Sequence, residues 1–413
     1  MKTSWYYAME KKKAKKKKWI HFRHRVIRDI AAVLLWPIFK IKTRFTYKRF
    51  KHKEPYLVLY NHQSVYDQFL LGYCLGPKSY FVASDDLTLI KFWSPILKWA
   101  VNIIPYKKGS TDFNILRICR QVASEGGSIL ISPEGNRTYC GETGYINPTI
   151  SKMAKFLQLP IAFVHITGGF GVHPRFADKP RKGGKIHTEV VKTLTYDEYK
   201  DLSNEELFAI IKDNLYLDES VPNCEYRSKH LAEYLERCIY WCPVCGMTHF
   251  ESHGDVLKCT KCGREVKYLP NKQFEQNDNQ LELHNVKEWY RYQEQMIKDF
   301  DLSKFGDDDA IISDIVSLYL VIPRKKKEVV LENAKLTLYK DRFEFDDGKK
   351  HLIYLFTDIL SIGIFGKNKM NFFLREQTYQ IKADVRFNPV KYMHLYYKTR
   401  IEKGEIKDEF LGL

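Results

Sequence analysis

"YLVLYNHQSVYDQF", residues 56–69, closes an apolar run at Tyr60, sets down Asn61, His62, Gln63 and Ser64, and then turns apolar again with helical spacing. The same order returns in "SILISPEGNRT", residues 128–138, where an apolar run opens onto an acid, a glycine and an arginine. Between and around them, "SYFVAS", "NIIPY", "PIAFVHI" and "KIHTEVV" read as strands. The stretches "LTLIKFWSPILKWA", "TDFNILRICRQVAS" and "NPTISKMAKFLQ" read as helices, and "LSNEELFAIIKDNL" adds another, with Ser203 as N-cap and Glu206 closing a capping box. Strands alternating with helices predict an α/β layer, a mostly parallel sheet flanked by helices. Loops at the carboxyl ends of such strands are where these sheets hold ligands.

The first of these loops can do proton chemistry. Ser64 followed by Asp67 reads as a helix N-cap with its first-turn acid, which places His62 just before the helix. Within a continuous helix a spacing of five would point His62 and Asp67 apart. The break before Ser64 lets Asp67 fold back onto the imidazole. A carboxylate on one ring nitrogen fixes the tautomer and leaves the other nitrogen as a base. If the acceptor brings its own hydroxyl, His62 can take that proton while the oxygen attacks an acyl carbonyl, and no serine or cysteine nucleophile is needed. In the second loop, Arg137 offers a planar fork of donors suited to a phosphate or carboxylate. Gly135 lets the main chain approach a ligand closely.

"NHQSVYD", followed 72 residues later by "PEGNRT", resembles the glycerolipid acyltransferase family, which includes the 1-acylglycerol-3-phosphate acyltransferases. The family's first block reads N-H-x-S-x-x-D, and His62 and Asp67 match its catalytic pair. Its third block is typically F-P-E-G-T-R-S; Glu134, Gly135 and Arg137 match in place, while Ser132, Asn136 and Thr138 depart from it. "PYKKGS" resembles the block between them, with Lys108 where the family has arginine. "LPIAFVHI" resembles the fourth, apolar block. The resemblance spans roughly residues 50 to 215. It implies acyl transfer by His62 and Asp67 from a thioester, carried by acyl carrier protein or coenzyme A, to lysophosphatidate, with no metal required for that step. It also implies that Lys108, Glu134, Gly135 and Arg137 shape the site for the acceptor's glycerol phosphate. Glu134, being an anion, is expected to orient Arg137 or a glycerol hydroxyl. Two rivals remain open, an acyltransferase for another lysolipid and an inactive lipid-binding scaffold; the intact motif residues weigh against the scaffold.

The 413 residues carry a net charge of +17, and the first 53 hold 18 Lys and Arg against Glu10 and Asp29. That concentration calls for an anionic partner near the N-terminal end. The apolar run from Ile30 to Phe39 is about half a membrane span. Basic residues flank it, with Trp19 and Trp36 near its ends. The pattern suits a helix in the headgroup region, where each nearby cation adds roughly 1 kcal/mol on anionic lipid. Nucleic acid is not expected, since no recognised nucleic-acid module accompanies the charge.

Of nine cysteines, four form "CPVCG" and "CTKCG": Cys242, Cys245, Cys259 and Cys262, two CxxC pairs separated by thirteen residues. This is the spacing of a zinc ribbon, a closed four-thiolate site with a structural role. Reduced cysteines indicate a cytoplasmic setting, so the protein is expected on the cytoplasmic face of a membrane, peripherally bound. From about Ile311 the texture turns to β, with turn signals at hairpin spacing and a closing helical stretch, "NPVKYMHLYYKTRIE". This unit resembles a pleckstrin-homology or GRAM-type module. "PRKKKE" at 323–328 reads as a solvated loop. The expected organisation is a basic amphipathic segment at 1–52, an acyltransferase unit at 53–235 and a zinc ribbon at 236–270. A linker helix at 271–308 and the β-rich unit at 309–413 complete it.

Overall fold

Four apolar residues in a row, Leu57–Tyr60, are buried on both faces, as a central parallel strand requires. This strand (β2) lies in a seven-stranded sheet with β1 (Thr46–Tyr47), β3 (Ser79–Ser84), β4 (Ile104–Tyr106), β5 (Ser128–Ile131), β6 (Ile161–Thr167) and β7 (His187–Leu194). The spatial order is β1-β7-β6-β2-β5-β3-β4. Neighbours from β6 to β4 run parallel; β7 is antiparallel to β6, and β1 follows β7. The protein is described by a computed structural model over residues 18–84, 99–106, 113–276, 283–322 and 327–405.

Alternation along the strands divides the core between the two faces. Leu57, Leu59, Ile129 and Phe163 pack under the helices Phe113–Ser124, Thr149–Leu157 and Asn204–Leu215, the last with the expected Ser203–Glu206 capping box. Val58, Tyr60, Leu130 and Val164 pack on the other face with α1 (Phe22–Thr43) and α2 (Asp67–Leu75).

Helix α1 runs for 22 residues, well beyond the apolar run that signalled it. Arg28 pins it, donating to the carbonyls of Pro77 and Val101 with its guanidinium 4.2 Å from the Tyr80 ring. Phe39, Leu35 and Ala32 face the domain. The opposite face stays in solvent: Phe22, Val26, Ile30, Val33, Leu34 and Ile41 are exposed, Val33 at 75% and Ile41 at 82%. At about 100° per residue these six positions fall within about 120° of arc. Among the described residues no helix is long and apolar enough to cross a membrane.

The C-terminal half is β-rich. A short hairpin (Trp241–Cys242 with Gly246–Met247) and a four-stranded antiparallel sheet over residues 250–276 hold the cysteines. Beyond them, seven antiparallel strands from Ile312 to Ala383 form two meanders joined where the first strand, Ile312–Leu320, pairs with the last, Thr378–Ala383. Helix Val390–Glu402 closes this unit. The stretch expected as a linker is part of the core. Helix Val286–Lys298 buries Trp289 and Ile297, and the Trp289 indole N–H donates to the Trp241 carbonyl at 2.8 Å. One continuous hydrophobic cluster runs from Cys140, Phe170 and Phe176 of the α/β unit through the cysteine-bearing sheets to Tyr397.

Candidate active site

Three adjacent parallel strands, β6, β2 and β5, end on the same side of the sheet. Their carboxyl ends lead into the loops that carry Asn61, His62, Glu134, Gly135, Arg137, His173 and Arg175; Lys108 lies outside the described residues.

At the end of β2, the Asn61 side chain clamps the neighbouring strand, donating to the Ile166 carbonyl (3.0 Å) and accepting from the Ile166 N–H (2.8 Å). His62 follows. Its Nδ1 lies 2.7 Å from the Asp67 carboxylate, which also accepts from the N–H groups of Gln63 and Ser64 and from the Ser64 hydroxyl. With a carboxylate at Nδ1, the proton sits there, and Nε2 is left with a free lone pair. No described residue bonds Nε2. The expected fold-back of Asp67 is thus present, but the expected cap is not. Helix α2 begins at Asp67 with Tyr66 as its N-cap, and Ser64 accepts from the Tyr66 N–H in a turn ahead of it. Ser64 is a partner of Asp67 and not the cap of α2, because its hydroxyl donates to that carboxylate and accepts from Tyr66, one residue ahead of the helix.

The end of β5 locks onto this loop. Glu134 is buried, and its carboxyl accepts from the His62 N–H at 2.8 Å and the Gly144 N–H at 2.7 Å; the Thr138 N–H donates back to the His62 carbonyl at 2.9 Å. Burial pushes Glu134 up to about 8; the two N–H donors pull the other way, and the Asp67 charge adds to the rise. The expectation that Glu134 orients Arg137 is not met. It holds main chain, fixing His62 from behind. Gly135 adopts φ 66°, a left-handed conformation that suits glycine. Arg137 is half-buried, and its Nη1 is enclosed without a hydrogen-bond partner among the described residues. Burial and the neighbouring Arg175 bring its guanidinium down to about 10, against the pull of Asp67.

Sequence reasoning missed Asn61 as a clamp, and it missed His173 and Arg175 after β6. Both lie in "GVHPRF", where two basic side chains flank a proline directly beyond a strand.

The four cysteines of the C-terminal half come together, their sulfur atoms all within 4.8 Å of one another and Cys242 Sγ 3.7 Å from Cys262 Sγ. A tetrahedral zinc with 2.3 Å bonds to sulfur needs sulfur separations of roughly 3.8 Å, so this donor set fits the ion. Gly246 and Gly263, both at φ 75°, make the turn after each pair.

Residues 42–167 match the family model described as Acyltransferase. A chloroplastic 1-acyl-sn-glycerol-3-phosphate acyltransferase of Brassica napus is 22% identical over 190 residues, covering 45% of this chain and 54% of that protein. Its counterpart from Arabidopsis thaliana is 22% identical over 189 residues, covering 45% and 52%. The chain thus spans about half the length of the curated relatives it matches. Among solved structures, the 1-acyl-sn-glycerophosphate (LPA) acyltransferase PlsC from Thermotoga maritima aligns at 18% identity and a TM-score of 0.37, over 46% of this chain and 74% of that one.

Proposed function

We propose that this chain, which belongs over residues 42–167 to the acyltransferase family, moves a fatty acyl group from a thioester to the free hydroxyl of 1-acylglycerol 3-phosphate, giving phosphatidic acid. The observation that carries this reading is the 2.7 Å His62–Asp67 pair at one strand end and, at the next, the half-buried Arg137, whose Nη1 has no partner among the described residues. His62 Nε2 takes the acceptor's hydroxyl proton as that oxygen attacks the thioester carbonyl. The tetrahedral intermediate collapses by breaking the carbon–sulfur bond, and the imidazolium returns its proton to the departing thiolate. Asp67 steadies the imidazolium. Arg137, with Lys108 from outside the described residues, receives the phosphate.

Zinc in the four-cysteine site is structural in this reading, because four thiolates leave the ion no open position. Helix α1 lays its exposed apolar stripe into an anionic membrane surface on the cytoplasmic side, where the lysolipid is found. Exposed Val65 and Phe69, beside the His62 loop, lie on the path of an acyl chain. The two meanders closed by a helix support a pleckstrin-homology or GRAM-like reading of the C-terminal unit.

The test is purified full-length protein offered lysophosphatidate and lysolipids without a phosphate monoester, each with acyl carrier protein and coenzyme A thioesters, with products read by mass. Phosphatidic acid is the expected product. Arg137→Ala should cut catalytic efficiency on lysophosphatidate by roughly 10- to 150-fold, the worth of a charge-assisted contact, and spare the other acceptors. Equal losses on all acceptors would assign Arg137 a structural role instead.

A further inference from the structure

The loop after β6 brings a second set of buried, unpartnered polar atoms to the same strand ends. Gly169 packs so closely on Gln63 that a Cβ there would come within 2.5 Å of the Gln63 Cβ. A turn later the His173 ring lies 5.5 Å from that of Tyr66, at the head of α2. Arg175 then donates from Nη1 to the Arg137 carbonyl at 2.9 Å, with its guanidinium 4.0 Å above the Tyr139 ring. His173 and Arg175 are each 5% exposed, and Gln63 is fully buried. Neither ring nitrogen of His173, neither atom of the Gln63 amide, nor the Tyr139 hydroxyl has a hydrogen-bond partner among the described residues.

Buried polar groups are normally paired, and a buried guanidinium without an anion is costly. Here the orphans cluster, and they include Arg137 itself. The charges around them are mostly positive. Lys367, reaching over from the β-rich unit, is already matched by Asp178 at 2.7 Å, and the Asp67 carboxylate is saturated by its own donors. His173 is kept neutral, brought down to about 4 by burial and by the cations Lys367, Arg137 and Arg181; the Ala177 main chain pulls the other way without reaching hydrogen-bond geometry. A neutral imidazole still has one N–H to donate. A small anion with several acceptor oxygens would answer the donors among these groups.

We infer that His173 and Arg175 form the wall, opposite the β5 loop, of a pocket for a phosphate monoester, and that they and Arg137 together set the preference for an acceptor that carries one. The anion site rests on the geometry alone; only the identification of its ligand as the acceptor's headgroup rests on the acyl-transfer reading.

Two measurements on the full-length protein separate these layers. The first is equilibrium binding of glycerol 3-phosphate, with inorganic phosphate and glycerol as comparison probes. The wild-type protein should bind glycerol 3-phosphate more tightly than inorganic phosphate, and glycerol not at all. Arg175→Gln should weaken glycerol 3-phosphate at least tenfold, Arg175→Lys should recover part of the loss, and His173→Asn should weaken it several-fold. The second is turnover. Arg175→Gln should raise KM for lysophosphatidate by about ten- to a hundredfold, with kcat, and activity on acceptors lacking the phosphate monoester, within about threefold of wild type. If Arg175→Gln does not fold, His173→Asn, which removes no main-chain contact, decides. Variants that fold and still bind glycerol 3-phosphate like the wild type would overturn the inference, as would equal losses on every acceptor. Selective loss of binding in a protein that transfers no acyl group to any acceptor would uphold the anion site and overturn the acyl-transfer reading.

Discussion

His62→Ala removes a ring that among the described residues is bonded only to Asp67 and is 17% exposed, so the fold should survive it. Acyl transfer should fall by about 10²-fold or more, the worth of a positioned base, at an unchanged melting temperature. Residual turnover near the wild-type value would remove His62 from the mechanism. Glu134 makes a different kind of prediction. Its folded pKa of about 8 lies above the ordinary 4.5, so the fold keeps a proton that the unfolded chain has released. That contribution to stability is complete below about 4.5 and is lost as pH rises toward 8. Between pH 7 and 8 the wild-type melting temperature should therefore fall, and in Glu134→Gln this component of the slope should vanish. The same variant places an amide NH₂ against one of two main-chain N–H donors and should cost about 1–3 kcal/mol. The motif residues were legible one by one, because His, Asp and Arg at strand ends carry chemistry whatever surrounds them. The direction of Glu134 was not. Which donor a buried carboxyl meets depends on Gly144, ten residues further on, and on the main chain of the adjacent strand.

Helix α1 carries its prediction on one face. Val33→Glu combined with Ile41→Glu alters two exposed side chains and should leave folding stability within about 0.5 kcal/mol of wild type. Flotation with anionic vesicles should nonetheless weaken markedly, and added salt should weaken the wild type part of the way through screening. Undiminished flotation of the double variant would mean that this face does not meet the bilayer. The apolar centre of α1 was legible as a run from Ile30 to Phe39, but its length was not, since His24 and Arg28 interrupt the pattern on the side that turns inward. The start of α2 was misread for a related reason. Ser-x-x-Asp is an N-cap signal only when the serine oxygen accepts from an N–H of the helix's first turn, and here it accepts from Tyr66, ahead of the helix.

At the scale of the whole molecule, the four cysteines tie into a core that extends well beyond their own sheets. Cys242 and Cys259 are fully buried in the cluster that also holds Trp289, Phe343 and Tyr396. Removing zinc with a strong chelator, or Cys259→Ser, should therefore loosen the entire C-terminal half. Circular dichroism and limited proteolysis should show residues 236–405 losing structure in one step, while one zinc per chain is measured in the intact protein. Digestion confined to the knuckles would show that the ribbon stands apart. Acid should act on both halves of the molecule. His394, held between the Tyr240 and Tyr290 hydroxyls, is brought down to about 3 by burial, and His173 and His24 to about 4. Each is neutral in the fold and protonates more readily when unfolded. Stability is thus lost as pH falls below about 6.5. The convergence of the four cysteines was legible because each CxxC turn is local. The fusion of ribbon, helix and β-rich unit was not, because it depends on contacts such as Trp241 with Trp289 that no local pattern encodes.

That shared core also sets an order of events on the ribosome. The strands of the seven-stranded sheet end at residue 194 and the last helix packed on it at Leu215, so this unit can close while the rest of the chain is still being made. The surface of Phe176 stays bare until its partner Tyr268 emerges, about 50 residues after Leu215 and, at 5–20 residues per second, roughly 3–10 s later. Through that interval the nascent protein holds His62 and Asp67 in place, while the segment carrying His173 and Arg175 waits for the half that packs behind it.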